Sequence, residues 1–293
     1  MIWQFPKYNI NKPINWTAIE ESYGWFRDMK DVPQDKEWHA EGDVFTHTKM
    51  VVEALISMDE FKSLNEQDKH ILFTSALLHD VEKRSTTTTE EIDGKKRIVS
   101  PRHAKKGEFT TRQILYTDIP TPFKVREQIT KLVRLHGLPL WAIQKADPNK
   151  EVINASLVVD TKHLSMLAKA DILGRICRDK EEILLRIELF NELCIDNNCF
   201  GKPRHFESNY GRYLYLNRPN SAPDYLPFDD LKFEVIVMCA LPGSGKDSFI
   251  KRNFNLPVLS LDDIRRGNKI DPTDKKKNGQ VIQFGKEKAK EYM

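Results

Sequence analysis

The chain has 293 residues, enough for two compact domains or one large one, with 40% hydrophobic and 30% charged residues. No run approaches the roughly 18 uncharged apolar residues of a membrane span, and the N-terminus lacks the basic and apolar regions of a signal peptide, so a cytoplasmic, non-membrane protein is expected. The net charge of +3 is too small to announce a nucleic-acid binder, and the scattered Cys177, Cys194, Cys199 and Cys239 form no CxxC pair, which argues against a zinc ribbon or a disulfide scaffold.

Val44, Met50, Val51, Ala54, Leu55 and Met58 recur at helical spacing and predict a first helix, and Ile71, Leu72, Ala76, Leu77 and Leu78 predict a second. β-Branched runs on either side of Asp93-Gly94 predict a hairpin within 86–99. Ile114 and Leu115, then Ile129, Leu132, Val133 and Leu135, predict two more helices. Helices over 157–173 and 183–193 complete a mostly helical region from about 43 to 191. From 197 to 230 Asn, Gly, Pro and Tyr dominate, and Pro203, Pro219, Pro223 and Pro227 exclude long regular elements, so a linker or wrapping segment is expected. The apolar run 233–239 reads as a buried parallel strand, and 258–261 as a second short strand. Basic residues outnumber acidic ones from 265 to 290, as on a solvated helix face.

Six residues of the helical region carry chemistry: His47, the adjacent pair His79 and Asp80, His103, His136 and Asp171. The pair is the sharpest signal, because it closes the apolar segment Phe73-Thr-Ser-Ala-Leu-Leu. Ionisable groups buried there need partners, and a metal ion with imidazole and carboxylate ligands supplies one. Such a site suits Mn, Fe, Co, Ni or Zn, without choosing among them. By contrast His70 and His205 read as ordinary surface or core histidines, and His163 is ambiguous. The helical region shows no aromatic-and-basic stacking pattern of the kind that reads nucleic acid.

A second constellation follows the run 233–239, in Ala240-Leu-Pro-Gly-Ser-Gly-Lys-Asp-Ser. Gly243, Ser244, Gly245 and Lys246 match the end of the GxxxxGK[ST] phosphate loop, whose backbone amides cradle phosphates while the lysine reaches the β- and γ-phosphates of ATP. Ala240 replaces the first glycine. Asp247 stands where Ser or Thr ordinarily holds Mg2+, so Asp247 or Ser248 would hold it here. Further on, Asp262 and Asp263 either end the second strand with chemical purpose or cap the next helix.

Taken together, His47, His79-Asp80 and Asp171 resemble the H…HD…D order of the HD phosphohydrolase superfamily, over most of residues 38–176. Arg102-His-Ala-Lys-Lys-Gly and Leu132-Val-Arg-Leu-His-Gly are similar to the HD domains attached to some tRNA nucleotidyltransferases. The resemblance implies that His47, His79, Asp80 and Asp171 hold one divalent ion. It further implies that Asp80 bridges to a second ion on His103 and His136, the two ions clamping a phosphate. Lys83, at HDxxK spacing, and Arg175, one turn past Asp171, become phosphate ligands or remain surface cations; His39 reaches the site mouth or is an ordinary histidine. The segment around Asp262 and Arg265 resembles the acceptor site of phage-type polynucleotide kinases. There an aspartate takes the proton of the 5′-hydroxyl and an arginine holds the neighbouring phosphate.

An HD domain followed by such a module resembles the HD-Pnk end-healing enzymes. These remove 2′,3′-cyclic, 2′- and 3′-phosphates from RNA or DNA ends and phosphorylate 5′-OH ends with ATP and Mg2+, for a downstream ligase. The expected fold class is a mainly α HD domain with a small β-hairpin, followed by a truncated α/β P-loop kinase module. The expected division is 1–196 for the HD domain, 197–232 for the linker and 233–293 for the partial kinase domain. Two alternatives keep other substrates or roles open: an HD nucleotidase or cyclic-nucleotide phosphodiesterase with a nucleotide-sensing P-loop, and a non-catalytic nucleotide-binding regulator.

Overall fold

The computed structural model describes residues 2–228 and 232–293. It divides into two compact units, Met1–Tyr225 and Leu226–Met293. The longer helices of the first unit are α1 (Trp16–Ser22), α2 (Val44–Ser57), α3 (Glu66–Leu78), α4 (His103–Thr117), α5 (Phe123–Leu135), α6 (Pro148–Ser156), α7 (Thr161–Leu173), α8 (Lys180–Asp196) and α9 (Asn209–Asn217).

The centre of the first unit is α3. Every residue from His70 to Leu78 is buried, because α2, α5 and α7 all pack around it. A helix buried on all sides is apolar all round, which is why this segment reads as a nearly continuous apolar run. Phe73 at its middle also receives the N-terminal arm: Tyr8 stacks on it with ring centroids 3.8 Å apart, and Phe5 packs beside it. His70 is one of these core residues, its Nδ1 accepting the Phe5 N–H at 3.2 Å. Helices α4 and α5 form a pair joined by 118–122, so the start of α4 and the end of α5 lie together.

The hairpin is β1 (Thr88–Ile92) against β2 (Lys95–Val99), antiparallel, with Ile92 opposite Lys95. Asp93 and Gly94 both take positive φ, 51° and 71°, as a two-residue hairpin turn requires. The helix expected over 157–173 is present from Thr161 to Leu173 and begins four residues later than the apolar spacing suggests. Helix α6 ends at Ser156, and α7 begins only after Asp160, whose Oδ1 accepts the N–H groups of Lys162 at 2.8 Å and His163 at 3.2 Å. Apolar spacing continues through the break, and an N-cap aspartate decides it. The proline-rich segment from 197 contains α9, which fits between Pro203 and Pro219 and buries Leu214 and Tyr215. Among the described residues, no helix is long and apolar enough to cross a membrane.

The second unit contains α10 (Lys246–Asn253), α11 (Leu261–Gly267) and α12 (Lys275–Tyr292). Here the structure departs from the expected α/β module: among the described residues the hairpin of the first unit is the one sheet. The run 233–239 and the residues before α11 have no partner strand, and Val235 and Val237 are exposed. A strand is a property of two paired segments, and one apolar β-branched run does not supply the second.

Candidate metal centre

Each candidate ligand sits at the end of a helix. Asp43 caps α2 by accepting the Thr46 N–H at 2.8 Å, which places His47 in the first turn. His79 is the C-cap of α3, His136 the C-cap of α5, and Asp171 lies in the last turn of α7. His103 opens α4 behind Arg102, whose φ of 58° turns the chain into the helix. Three helix C-termini therefore converge, and the partial negative charge at each favours a cation between them.

The imidazoles are oriented by their own backbone. Nδ1 of His79 lies 2.7 Å from the Ala76 carbonyl, Nδ1 of His136 2.8 Å from that of Val133, and Nδ1 of His103 2.8 Å from that of Ser100. A carbonyl oxygen only accepts, so each Nδ1 carries the proton and each Nε2 presents a lone pair. These lone pairs face Asp80. Its Oδ2 stands 3.2 Å from His79 Nε2 and 3.7 Å from His47 Nε2, and its Oδ1 stands 3.3 Å from His103 Nε2 and 3.8 Å from His136 Nε2. Asp171 Oδ1 completes the first side, 3.1 Å from His47 Nε2 and 4.0 Å from His79 Nε2.

These atoms fit a metal. His47 Nε2, His79 Nε2 and Asp80 Oδ1 are buried with no hydrogen-bond partner, a costly condition unless something fills the space between them. Two ligands each about 2.1 Å from one ion stand roughly 3–3.5 Å apart, close to the separations found. Two groups meet at Asp80, namely His47, His79 and Asp80, and Asp80, His103 and His136. One carboxylate thus faces an imidazole pair on each oxygen, and imidazole with carboxylate suits a divalent transition metal.

Burial opposes charge on every group here, and the neighbours decide the outcome. For Asp80 burial is outweighed by His79 and Lys83, and for Asp171 by Arg175 and His47, so both carboxyls are held well below the usual carboxylate range. Burial wins for His103, which is lowered, and for His136, pushed down to about 3. Both stay neutral and able to ligate. Burial also lowers His79, but Asp80 and Asp171 raise it above its ordinary value.

Lys83 and Arg175 are not surface cations. Lys83 Nζ lies 2.7 Å from Asp80 Oδ2 and 2.8 Å from Gln34 Oε1, with the lysine buried. Arg175 pairs with both oxygens of Asp171, its Nε at 3.0 Å from Oδ1. It supports a ligand, and both ends of its partner carboxylate are engaged. His39 is buried, its Nδ1 2.8 Å from Glu41 Oε1, and burial pushes it down to about 4.

Glu41 is the residue that sequence reading missed. Its side chain is buried; it accepts the Ile176 N–H at 2.9 Å and lies 2.9 Å from His47 Nδ1. Burial would raise it, but His39, His47 and the Ile176 amide hold it far below the usual range. A carboxylate behind a ligating imidazole fixes ring orientation and basicity. The site meets solvent at His103, Arg175, Lys83 and His39, which keep 25%, 16%, 11% and 10% of their side chains exposed.

In the second unit the phosphate-loop match is a turn leading into α10. Gly243 and Gly245 take φ of 73° and 86°, and Lys246 is the first residue of α10, followed by Asp247 and Ser248 in its first turn. Lys246 Nζ folds back onto the carbonyls of Ala240 and Leu241 at 2.8 and 2.9 Å. Asp262 and Asp263 lie in the first turn of α11, but the cap is Ser260, whose Oγ accepts the Asp263 N–H at 3.2 Å, so the paired aspartates are not themselves the cap. Arg265 Nη1 is 2.6 Å from Asp262 Oδ1, so the two expected acceptor-site residues are paired with each other.

Comparison with known proteins finds no matching family model and no matching curated protein.

Proposed function

We propose that the chain is a metal-dependent phosphohydrolase that removes 2′,3′-cyclic, 2′- or 3′-phosphates from RNA or DNA ends, joined to a P-loop module for 5′-hydroxyl phosphorylation. The observation that carries the hydrolase reading is Asp80, whose two oxygens each face a pair of imidazole Nε2 atoms in a buried site. His47, His79, Asp80 and Asp171 would hold one divalent ion, and Asp80, His103 and His136 a second. Bound ions of this kind polarise phosphoryl oxygens and bring the pKa of water toward neutrality.

The chain's own residues do the rest. Hydrogen bonds from Nδ1 to backbone carbonyls hold His79, His103 and His136 in one tautomer and one orientation. Lys83 keeps Asp80 ionised and, where the site meets solvent, has a further N–H to give to a phosphate oxygen. Arg175 holds Asp171 in place. Burial of His47, His79, Asp80 and Asp171 keeps bulk water away from these four side chains.

The kinase half rests on less. Left-handed glycines at 243 and 245 ahead of a helix start suit a phosphate cradle. Lys246 would exchange its two carbonyl contacts for ATP phosphates, with Asp247 or Ser248 on Mg2+. For Asp262 to take a hydroxyl proton and Arg265 to hold a phosphate, their mutual ion pair must open.

The test is hydrolysis of a 2′,3′-cyclic-phosphate-ended RNA oligonucleotide across Mn, Fe, Co, Ni and Zn, beside an Asp80→Ala variant. Metal-dependent turnover that vanishes in the variant is expected. No turnover with any metal, alongside hydrolysis of free nucleotides, overturns the end-healing reading in favour of a nucleotidase.

A further inference from the structure

The pair α4 and α5 meets the metal centre at one of its ends, where His103 opens α4, His136 caps α5, and both face Asp80. The same pair carries a charge surplus. From 102 to 134 there are eight Lys or Arg against three Asp or Glu, a surplus of five, while the whole chain has a surplus of three. The rest of the chain, taken together, is therefore slightly acidic. Some of these cations are committed within the protein. Arg112, Lys131 and Arg134 lie on Glu108, Arg112 also on Glu127, and Lys106 on Glu82. Arg102, Lys105 and Lys124 have no carboxylate partner among the described residues.

The exposed positions of α4 fall in one stripe. Lys105, Phe109, Gln113 and Tyr116 are exposed and recur every three or four residues, as one face of a helix requires. Arg102 and Lys106 widen the stripe at its start, on either side of His103, and no acidic residue lies on it. Phe109 and Tyr116 are 61% and 70% exposed, and Phe123, which opens α5, is 68% exposed. Arg126 joins two of these rings, its guanidinium carbon 5.4 Å from the centroids of both Tyr116 and Phe123, while its Nε reaches Glu127 at 3.3 Å. Large exposed aromatics gathered on one surface mark an interaction site. At 1.5 Å of rise per residue, Phe109 stands about 9 Å and Tyr116 about 20 Å along α4 from His103.

We infer that the outer face of α4, with the start of α5, is the bed of a single nucleic-acid strand whose end lies at the metal centre. Its unpaired bases stack on Phe109, Tyr116 and Phe123, and its phosphates are met by Arg102, Lys105 and Lys124. The inference rests on the phosphohydrolase reading for the strand's end, whereas the face itself rests on charge and exposed rings and is measurable without turnover. Cations alone would serve any anion; rings set among them suit a polymer that alternates phosphates with flat bases. A helix that lies on a bilayer gathers its apolar residues on one face, and the apolar face of α4, with Ile114 and Leu115, is already buried in the protein. No stretch of sequence shows the pattern, because neighbouring residues of a helix point to different sides.

The experiment is fluorescence anisotropy of the full chain, in EDTA, with an end-labelled unstructured RNA of about twelve nucleotides, within the span of known single-strand sites. Wild type is compared with Phe109→Ala, Tyr116→Ala, Tyr116→Phe and Lys105→Gln, all at exposed positions, so that the variants should melt with wild type. Each alanine is expected to raise the Kd about five- to hundredfold, and Tyr116→Phe to leave it near wild type. Lys105→Gln should lower the slope of log affinity against log salt by about 0.7. An RNA that does not bind, or that binds the alanine variants as tightly as wild type, overturns the proposal. So does equal affinity for the same strand in duplex form, which would mark binding by charge alone. Binding to phosphatidylserine vesicles that depends on Phe109 and Tyr116, with none to the RNA, would overturn it in favour of a lipid-facing surface. Ring-dependent RNA binding without hydrolysis of oligonucleotide ends under any metal would support the face and refute end healing. Hydrolysis of those ends with an unchanged KM in Tyr116→Ala would do the reverse.

Discussion

Gly174 tests whether helix packing sets the metal centre. It closes α7 at φ −77° and ψ 1°, a conformation open to any residue, so only space calls for glycine there. A Cβ at this position would stand 2.6 Å from Val51 N, 2.7 Å from Val51 Cα and 2.8 Å from Val51 Cγ2. Two of those atoms are backbone of α2, and ordinary contact between carbons begins near ~3.5 Å. Gly174→Ala therefore needs α2 and α7 to part by somewhat under ~1 Å. Val51 lies one turn beyond His47 and Gly174 three residues beyond Asp171, so the separation acts directly on the 3.1 Å approach of His47 Nε2 to Asp171 Oδ1. Overpacking of this kind costs about 1–3 kcal/mol. At roughly 2–4 °C per kcal/mol for a domain of this size, the Tm should fall by about 2–12 °C. Disturbed ligand support should also weaken metal binding about ten- to hundredfold. Thermal unfolding of the apo protein and calorimetric titration with Mn2+ read the two effects. Gly279→Ala in α12 is the control, because a Cβ there meets nothing within 4 Å. If Gly174→Ala melts with wild type and binds Mn2+ as tightly, the close approach does not govern the site.

Three further outcomes are expected. Glu41→Gln keeps the shape of the side chain but removes the charge behind His47, and should raise the Kd for Mn2+ about ten- to hundredfold with an unchanged circular dichroism spectrum; equal Kd values would reduce Glu41 to a loop anchor. Glu82 is buried, which would raise its pKa, but Ser85, Thr110 and Lys106 outweigh that and hold it below its ordinary value. Its contribution is present above the unfolded pKa near ~4.3 and is lost as pH falls through the lower folded value. Glu82→Gln should then be less stable at pH 7 and show a shallower acid limb, and parallel Tm curves from pH 7 to pH 3 would refute the assignment. Lys246→Ala should abolish binding of ATP with Mg2+, since its amine is the cation that folds over the 240–246 turn; binding at wild-type strength would remove the phosphate-cradle reading.

Much of the candidate metal centre was legible because its residues stand at the ends of apolar helices. An ionisable pair such as His79 and Asp80, closing a segment buried from His70 to Leu78, stands out without knowledge of the fold. Glu41 did not stand out. Its role depends on His47 and on the Ile176 amide, which lies 135 positions away, and an acidic residue in a Glu-Gly-Asp turn is ordinary. For Arg175 the sequence allowed a phosphate ligand or a surface cation, because spacing placed it one turn past Asp171 while which side of that carboxylate it occupies is a matter of packing. The hairpin was legible because a two-residue Asp-Gly turn is a local device. The run 233–239 was not, since its conformation depends on a neighbour strand that hydropathy does not report.

The Asp80 centre draws its donors from the ends of α2, α3, α4, α5 and α7, so it exists only when these helices are assembled. In the unfolded chain the same donors are scattered and bind an ion far more weakly. Every increment of metal affinity is then also an increment of folding stability. At a free-ion concentration a hundred times the Kd the gain is about 2.7 kcal/mol, a substantial share of the roughly 5–15 kcal/mol that holds a typical domain together. If the centre holds an ion as proposed, its supply would thereby govern how long each copy of the protein survives proteolysis.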